Sequence, residues 1–256
     1  MSADSGLVAA LREQEARWRE RPLVRALYGE WFREIAARLS RQPGESIELG
    51  AGIARLQAVA PQVMATDVEP TPWAATVADA EHLPYADASL ANLVLVDVYH
   101  HVPRTSRLLD EAARTLVPGG RLLVLDPYCS PVSHLAYRLG HHERTDLSAT
   151  PFADDPASAA DPLASNQARA TLELFRSDAE LRRRWPELRL VERRRLALLA
   201  YPLSGGFGRR ALAPESVGRA LMRLERRLGF LAPLLAFRCL VVLERAPVSG
   251  GGAGAA

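Results

Sequence analysis

The sequence contains no lysine, because all 32 basic residues of the 256-residue chain are arginine. A Walker-type phosphate-binding loop requires its lysine, and Schiff-base chemistry on pyridoxal phosphate requires an amine nucleophile. Both classes of enzyme are therefore excluded. The richness in arginine and alanine is typical of a GC-rich bacterial genome, so we expect a bacterial origin.

Cysteine is nearly absent, since only Cys129 and Cys239 occur and they lie far apart in the chain. Two distant cysteines provide neither a disulfide framework nor a CxxC metal site, and they are typical of small buried side chains in a reducing compartment. The sequence also has no basic and apolar leader and no apolar run of the about 18 residues needed to span a membrane. We therefore predict a cytoplasmic protein.

The composition, 48% hydrophobic and 24% charged, is that of a globular protein and excludes disorder over most of the chain. We predict one domain over residues 1–246 and a flexible tail at 247–256, where PVSGGGAGAA offers nothing to bury. Within the domain we distinguish a helical flank at 1–45, a regular part at 46–127, a less patterned insertion at 128–185 and a C-terminal part at 186–246.

The order of apolar patterns predicts an α/β fold. Amphipathic patterns predict helices at 7–19, 22–39, 53–60, 105–117 and 214–228, and apolar runs predict strands at 46–49, 63–67, 75–79, 90–98, 121–126, 188–199 and 237–243. Strands that alternate with helices indicate a parallel sheet covered on both faces. The first two helices are expected to cover the sheet, although Arg17 or Tyr28 has the length to reach a ligand.

The segment SIELGAGIARL, residues 46–56, is the clearest local signal. Gly50 and Gly52 allow the backbone to turn sharply after a buried strand and to approach a ligand closely. A helix predicted from Ile53 would present amide groups there, while Glu48 favours a cationic or hydroxyl-rich group and repels phosphate. By itself, the segment is equally compatible with an ordinary strand-to-helix turn.

Acidic residues recur where the predicted strands end, at Glu48, Asp67, Asp79, Asp97 and Asp126. Because the carboxyl ends of parallel strands line the ligand crevice of an open sheet, these side chains are expected to converge. Such a crevice suits a ligand with hydroxyls, an amine and a positive centre. The alternative is that some of them cap the next helix or loop, which we expect of Asp126.

Five segments between residues 46 and 127 resemble, in order, the motifs of the class I S-adenosylmethionine-dependent methyltransferases, in particular the group called methyltransferase type 11. They are ELGAG, TDVEP, VADAEHLPYADASL, LVLVDVYHHV and EAARTLVPGGRLLVLDP. The resemblance implies a Rossmann-like, seven-stranded, mostly parallel sheet with helices on both faces and an antiparallel last strand. It also implies in-line methyl transfer from S-adenosylmethionine.

The resemblance implies a cofactor role for the regular part of the domain. Gly50, Ala51 and Gly52 would lie beside the methionine moiety, Asp67 would bind the ribose hydroxyls, Asp79 and Ala80 the adenine edge, and Asp97 and Val98 the methionyl part, with Glu48 and Val68 completing the set. A bidentate carboxylate suits a vicinal diol, and an acidic crevice suits a sulfonium.

The sequence departs from the family pattern at two places. Ala54 stands where the third glycine is usual, and the intervals from Gly50 to Asp67 and from Asp67 to Asp79 are short. We therefore expect the first helix of the sheet region to lose about one turn. The segment TPWAAT is expected to form a loop in place of the second helix.

The insertion at 128–185 is predicted to form the substrate side. A long irregular segment in a compact domain is typically a lid or disordered, and we favour a lid. Its flanking apolar residues, which are expected to bury part of a small-molecule or lipid-like acceptor, are Tyr137, Phe152, Leu172, Leu174 and Phe175. The acceptor nucleophile, an oxygen, nitrogen or carbon atom, is left open.

Two pairs of histidines are candidates for the reaction site. His101 and His142 are predicted as general bases, because the imidazole pKa suits neutral pH. A metal site formed with Glu143 is a weaker variant, and no metal is predicted. The alternative, which we favour, is that these histidines are structural and that methyl transfer proceeds by positioning alone.

Residues 169–238 hold 16 arginines and 7 acidic residues. One interpretation is contact with an anionic substrate or membrane surface, next to the apolar segment LGFLAPLLAF at 228–237. We favour a solvated helix face and a covered core segment, with Val217, Leu221, Leu224 and Leu228 facing the core. A net charge of +2 and no recognised module argue against nucleic-acid binding.

Two other functions stay open. A nicotinamide-dependent oxidoreductase is disfavoured, because the second glycine is followed by Ile53 and Ala54 and the segment does not have the GxGxxG arrangement of such enzymes. A cofactor-binding homologue without catalysis would share the same motifs. The sequence does not determine the oligomeric state.

Overall fold

The computed structural model describes residues 6–140, 143–161 and 164–247. The strands are β1 Glu45–Leu49, β2 Val63–Asp67, β3 Thr76–Val77, β4 Leu90–Val96, β5 Leu116–Pro127, β6 Leu188–Leu196 and β7 Arg238–Arg245. The α-helices are α1 Gly6–Glu20, α2 Pro22–Ala36, α3 Thr105–Thr115, α4 Pro131–Gly140, α5 Pro156–Ala160, α6 Arg169–Thr171, α7 Asp178–Arg184, α8 Ala200–Ser204, α9 Glu215–Glu225 and α10 Ala232–Leu235. Helix α6 continues as a π-helical turn over Leu172–Arg176.

All seven strands form one sheet in the order β3-β2-β1-β4-β5-β7-β6. The strands from β3 to β5 pair in parallel, whereas β7 is antiparallel to both β5 and β6. This is the predicted Rossmann-like, mostly parallel sheet with an antiparallel last strand, and the prediction is confirmed. The order reverses between β1 and β4, which is where the carboxyl ends of an open sheet form a crevice.

The core lies on both faces of the sheet, because successive residues of a strand point to opposite sides. On β4, Leu93 and Leu95 pack in one cluster and Val94 packs in the other. Helix α3 contributes Leu108 and Leu109 to the first cluster. Helix α2 covers the second face with a broad apolar surface that comprises Leu23, Val24, Leu27, Tyr28, Trp31, Phe32 and Ile35.

The helix predicted at 53–60 is wrong. Only a 3₁₀ turn over Leu56–Ala58 forms there. Three residues before it have positive φ angles, at +61° for Gly50, +54° for Gly52 and +50° for Ala54. A left-handed residue cannot lie inside an α-helix, and after Ala54 only the 3₁₀ turn follows, so the whole predicted helix is missing and not one turn. The loop predicted for TPWAAT is confirmed, since only a bend and the start of β3 occur there.

Other element bounds differ by a few residues from prediction. Helix α2 ends at Ala36 instead of residue 39, and α3 ends at Thr115, before Pro118. Val117, predicted as the last residue of that helix, belongs to β5, which begins at Leu116 and continues through residues 118–120. Strand β3 has only two residues, both exposed, as expected of the sheet edge.

The core face predicted for 214–228 is only partly correct, because Leu221 and Leu228 pack partly against the core but Val217 and Leu224 do not. Val217 is 46% exposed and Leu224 is 44% exposed, whereas Gly218 and Met222 are buried. The cause is a close approach to α2, because a Cβ atom on Gly218 would lie 2.3 Å from Cδ1 of Leu23. Glycine at this position therefore decides which face of α9 packs against the domain.

The insertion is more helical than predicted. It holds α4, α5, α6 with its π-helical turn, and α7. Helices of three to ten residues bounded by proline, aspartate or serine are too short to give a clear period, which explains why the sequence did not reveal them. The interpretation of 228–237 as a covered segment is only partly correct, since Phe230 is 75% exposed. Among the described residues, no helix combines the length and apolar character needed to cross a membrane.

Candidate functional site

The turn after β1 brings the two glycines against the end of β4. Gly50 has a φ of +61°, and a Cβ atom there would lie 2.7 Å from Cγ2 of Val98. The amide of Ala51 donates to the carbonyl of Thr66 at 2.9 Å. The turn is thus fixed on one side by β2 and on the other by Val98, and glycine is required for this close approach.

Asp67, the last residue of β2, joins this turn to the neighbouring strand ends. Its Oδ2 accepts from the amide of Gly52 at 3.0 Å, and its Oδ1 accepts from the amide of Val68 at 2.9 Å. Burial raises the pKa of Asp67 and the two amide donors oppose that effect. Since a carboxylate has about four acceptor positions, both oxygens retain capacity for further donors.

Glu48 is the least compensated acid of the site. It is 3% exposed, and its Oε2 has no hydrogen-bond partner among the described residues. Burial, with a smaller contribution from the charge of Asp67, raises the pKa of Glu48 to about 8. A buried carboxyl oxygen without a partner is costly, and a cationic ligand group would compensate it.

Asp97, directly after β4, is held by two side chains from distant segments. It has a φ of +56°, Oδ2 accepts from the hydroxyl of Tyr28 at 2.5 Å, and Oδ1 pairs with Arg238 at 2.5 Å. Arg238 also donates to the hydroxyl of Tyr201 at 2.6 Å. Sequence reasoning missed Arg238, although an arginine between apolar residues at the start of the last strand is a signal of a buried ion pair.

The remaining predicted cofactor residues lie farther out along the same edge. Val68 is 60% exposed. Asp79 is half exposed, accepts from the amide of Glu81 at 2.9 Å, and lies 3.4 Å from Nδ1 of His82. Ala80 packs partly against the core. The amide of Ala78, the residue before Asp79, donates to the carbonyl of Asp67 at 2.9 Å and so connects this outer segment to the end of β2.

Helix α1 lies directly over the glycine turn. A Cβ atom on Gly52 would be 3.5 Å from Cδ2 of Leu11 and 3.6 Å from Oε1 of Gln14. Arg55 forms an ion pair of 2.6 Å with Glu15. The helical flank therefore closes one side of the crevice. Arg17, which has the length to reach a ligand, forms an ion pair with Glu13 on its own helix instead.

A second cluster of ionisable groups follows β4. Nδ1 of His100 donates to Oδ1 of Asp126 at 2.9 Å, and its Nε2 lies 3.4 Å from Oε2 of Glu143. Burial disfavours the imidazolium, but Asp126 and Glu143 outweigh it and raise the pKa of His100 to about 10. The expectation that Asp126 caps the next element is wrong, because Ser130 accepts from the amide of Ser133 at the start of α4.

The two histidines predicted as bases have different outcomes. His101 is half-buried, its ring centroid lies 4.0 Å from that of His100, and its carbonyl accepts from Ser158 at 2.8 Å. His142 lies outside the described residues. Of these two predicted bases, His101 is the one that the described residues place, together with His100, next to the end of β4.

The apolar residues that flank the insertion are mostly part of the core. Phe152 and Leu174 are 3% and 0% exposed, and the hydroxyl of buried Tyr137 donates to the carbonyl of Phe237 at 2.7 Å. Phe175 is half-buried, with its ring centroid 4.9 Å from that of Tyr128. Of the five predicted acceptor contacts, Phe175 is the one with appreciable exposed surface.

Comparison with known proteins identifies the segment that carries the strand-end residues. Residues 47–124 match the model of a family described as Methyltransferase domain. The curated relative Methyltransferase GfsG of Streptomyces halstedii is 36% identical over 93 residues, which cover 36% of this chain and 33% of the relative. The chain thus spans about a third of the length of that relative.

The fold is shared with solved structures of low sequence identity. A chain from the Haloferax volcanii complex that contains the methyltransferase activator Trm112 superposes with a TM-score of 0.52 at 15% identity, covering 95% of this chain and 97% of the other. At this identity the likeness concerns the fold alone. It extends the common architecture beyond residues 47–124 to nearly the whole chain.

Proposed function

We propose that the protein, whose residues 47–124 match the family described as Methyltransferase domain, is a class I S-adenosylmethionine-dependent methyltransferase that transfers a methyl group from S-adenosylmethionine to an oxygen, nitrogen or carbon nucleophile. The acceptor we propose is a small or lipid-like molecule, and residues 1–246 act as one catalytic domain. The observation that carries the proposal is the pair of buried acids, Glu48 and Asp67, on either side of the glycine turn.

The site residues fit the cofactor chemically. The acceptor capacity that remains on Asp67 suits the two ribose hydroxyls, and the partnerless Oε2 of Glu48 suits the methionyl ammonium group. S-adenosylmethionine, when bound, supplies an electrophilic methyl group on a sulfonium. The proposed set retains Gly50, Ala51, Gly52, Val68, Asp79, Ala80, Asp97 and Val98 around these two acids.

Asp97 is proposed to act through its neighbours as much as by direct contact. Its carboxylate holds the hydroxyl of Tyr28 at 2.5 Å and the guanidinium of Arg238 at 2.5 Å. These contacts fix α2 and β7 against the end of β4, beside Val98 and the glycine turn. Helix α1 covers Gly52 through Leu11, and we infer that it shifts when the cofactor enters.

Catalysis is proposed to rest mainly on positioning. Holding donor and acceptor at attack distance, with water excluded, is sufficient to accelerate a displacement by many orders of magnitude. The insertion at 128–185 is the proposed acceptor side, where Phe175 offers apolar surface. The two cysteines are buried and free, in keeping with a cytoplasmic, bacterial protein.

Ligand binding tests the proposed cofactor. In titration calorimetry, we expect the protein to bind S-adenosylmethionine and S-adenosylhomocysteine but not NAD. Asp67→Asn should weaken binding by about 10- to 100-fold, because charge-assisted hydrogen bonds to the ribose are lost. Asp87→Asn is the matched control, since Asp87 is 77% exposed and pairs with Arg114.

Binding of NAD in place of S-adenosylmethionine would overturn the assignment. Cofactor binding without turnover on any acceptor would leave only the non-catalytic homologue. Mass spectrometry of methylated products in lysate, incubated with labelled cofactor, is the measurement that separates catalysis from binding.

A general base is needed only by acceptors that carry a proton, and His101 is the candidate for that role. If it has that role, His101→Ala should lower kcat by about 100-fold or more while leaving cofactor affinity unchanged. His134→Ala, at a half-buried histidine on α4, serves as the control. Parallel measurement of His142→Ala tests the other predicted base. Unchanged turnover in both His101→Ala and His142→Ala would leave positioning as the mechanism.

A further inference from the structure

Three potential metal ligands meet beside the end of β4. His100 and His101 belong to the 3₁₀ turn over Tyr99–His101, and Glu143 follows α4. One nitrogen from each histidine and one oxygen of Glu143 all lie within 4.8 Å of one another. We call these three residues the His-Glu trio. They come from two segments some 40 positions apart, so the fold brings them together.

The spacing within the trio fits a shared cation. Ligand atoms about 2.0–2.1 Å from a tetrahedral Zn²⁺ are separated by about 3.3–3.4 Å. Nε2 of His100 lies 3.4 Å from Oε2 of Glu143, which matches such an edge and exceeds the usual length of an N–H···O hydrogen bond. A small inward movement of His101 is sufficient to bring the third atom from within 4.8 Å to the same separation.

The surroundings support the trio in the way that metal-binding histidines require. Nδ1 of His100 lies 2.9 Å from Oδ1 of Asp126, and donation to that carboxylate directs the lone pair of Nε2 toward Glu143. Gln167 donates to Oε2 of Glu143, with its Nε2 3.4 Å from Nε2 of His100, and the hydroxyl of Ser165 lies 3.4 Å from the same Oε2. The side chains of His100, Asp126 and Glu143 are 3%, 0% and 7% exposed, so water does not compete for the ligand atoms.

The charge of the cluster also favours a cation. Two carboxylates, Asp126 and Glu143, flank His100 in a buried setting, where the imidazolium is their counter-charge in the metal-free protein and a metal ion would take the place of its Nε2 proton. A doubly charged ion balances both carboxylates. Imidazole nitrogen suits Zn²⁺ and neighbouring first-row transition metals better than Mg²⁺ or Ca²⁺, which prefer oxygen ligands.

We propose that the His-Glu trio binds one first-row divalent transition-metal ion, of the Zn²⁺ or Co²⁺ type. The ligand atoms are Nε2 of His100, a ring nitrogen of His101 and a carboxylate oxygen of Glu143. Three protein ligands leave a coordination position for a water molecule or for an oxygen of the acceptor. Asp126 is the positioning residue, since it orients His100. The inference goes beyond the proposed methyl transfer and does not depend on it, because it concerns the protein without cofactor or acceptor.

The metal role and the base role of His101 exclude each other. A coordinated imidazole nitrogen has no lone pair left to accept a proton. If His101 is a ligand, its loss reduces metal affinity whether or not the protein turns over a substrate. A binding measurement on the cofactor-free protein therefore distinguishes failure of the metal proposal from failure of the methyltransferase proposal.

The test is a titration of the metal-free full chain with Co²⁺ and with Zn²⁺, followed by visible absorbance and by equilibrium dialysis with elemental analysis. We expect one bound ion per chain and the visible bands of low-coordinate Co²⁺, which Zn²⁺ abolishes. Glu143→Gln and His101→Ala should each lower Co²⁺ affinity at least tenfold. Asp126→Asn should lower it by about 10- to 100-fold.

His134→Ala is the control, because it removes a histidine of α4 that is not part of the trio. Thermal unfolding of each variant checks that it is folded. Substitution of half-buried His101, or of Glu143 at the start of a described segment, should disturb the core less than substitution of fully buried Asp126. Failure to bind Co²⁺ or Zn²⁺ would overturn the proposal. So would binding that His101→Ala and Glu143→Gln leave unchanged in folded protein.

Discussion

Replacing Glu48 with glutamine should make the cofactor-free protein more stable at pH 9 and leave its stability nearly unchanged at pH 5. Glutamine has the shape of a protonated glutamate and carries no charge to bury. The native carboxyl is 3% exposed, its Oε2 has no partner among the described residues, and its pKa is raised to about 8. The acid is therefore a local destabilising element whenever it is ionised.

The sign follows from proton binding. A carboxyl with a raised pKa keeps its proton in the folded state and releases it in the unfolded state, so stability falls as pH rises from about 4.5 to about 8. The rise in the pKa of Glu48 from 4.5 to about 8 corresponds to a loss of at most about 5 kcal/mol in the free energy of unfolding, and relaxation of the site reduces this loss. We expect Glu48→Gln to raise the free energy of unfolding by about 2–3 kcal/mol at pH 9.

Urea unfolding at pH 5, 7 and 9 measures this difference. Glu45→Gln is the matched control, because Glu45 lies on the same strand with an exposed side chain. A gain from Glu48→Gln that does not grow with pH would contradict the assignment of a buried, ionising carboxyl at this position.

The same substitution should weaken S-adenosylmethionine binding. If Glu48 compensates the methionyl ammonium group, its loss should reduce cofactor affinity by at least about tenfold at pH 8, measured by calorimetry. Opposite changes in stability and in affinity are the expected mark of a residue retained for ligand binding.

Replacing Arg238 with methionine should be the most destabilising single change considered. We expect a loss of about 3–5 kcal/mol in the free energy of unfolding, because removal of one partner leaves the other charge of a buried pair uncompensated. Arg238 is 7% exposed and bonds Asp97 and Tyr201. Burial alone would lower the pKa of Arg238, but Asp97 together with the neighbouring tyrosines outweighs burial and the net pKa is raised.

The effect should spread beyond the ion pair. Asp97 also accepts from Tyr28, and burial followed by the charge of Asp97 raises the pKa of that phenol well above its usual range. Without Arg238, the side-chain link from Asp97 to β7 is lost, and the Tyr28–Asp97 hydrogen bond joins only α2 to the end of β4. The near-ultraviolet circular dichroism spectrum should therefore change, because the surroundings of Tyr28 and Tyr201 are altered.

Arg189→Met is the matched control for urea unfolding. Arg189 pairs with Glu244 at 2.8 Å but is 67% exposed, so its loss should cost less than about 1 kcal/mol. The double variant Arg238→Met with Asp97→Asn should recover part of the stability, because no charge is then left unpaired. Equal effects of Arg238→Met and Arg189→Met would show that burial does not strengthen the Asp97–Arg238 pair.

The element order was predictable because its signals are local. Apolar runs such as the one that forms β4 and the alternation of strands with helices depend only on neighbouring residues. The same holds for the loop in place of the second helix, where TPWAAT lacks an apolar period. The placement of Glu48 and Asp67 at strand ends follows from the same local patterns.

Predictions failed where a distant contact or a special backbone angle decides. The helix expected from Ile53 does not form, because Ala54 adopts a left-handed φ of +50°. The face of α9 is set by the approach of Gly218 to Leu23 of α2. The role of Asp126 changed because His100, from another strand end, pairs with it at 2.9 Å.

The sequence by itself determined the α/β class and the acids at the strand ends, since local hydrophobic periodicity encodes them, and its resemblance to a known family implied the antiparallel last strand. Only the tertiary structure decided which acids are compensated. It pairs Asp97 with Arg238 across 141 positions, leaves Oε2 of Glu48 buried without a partner, and brings Glu143 to His100. The physical reason is that ionisation and binding depend on burial and on charges a few ångströms away, which chain order does not specify.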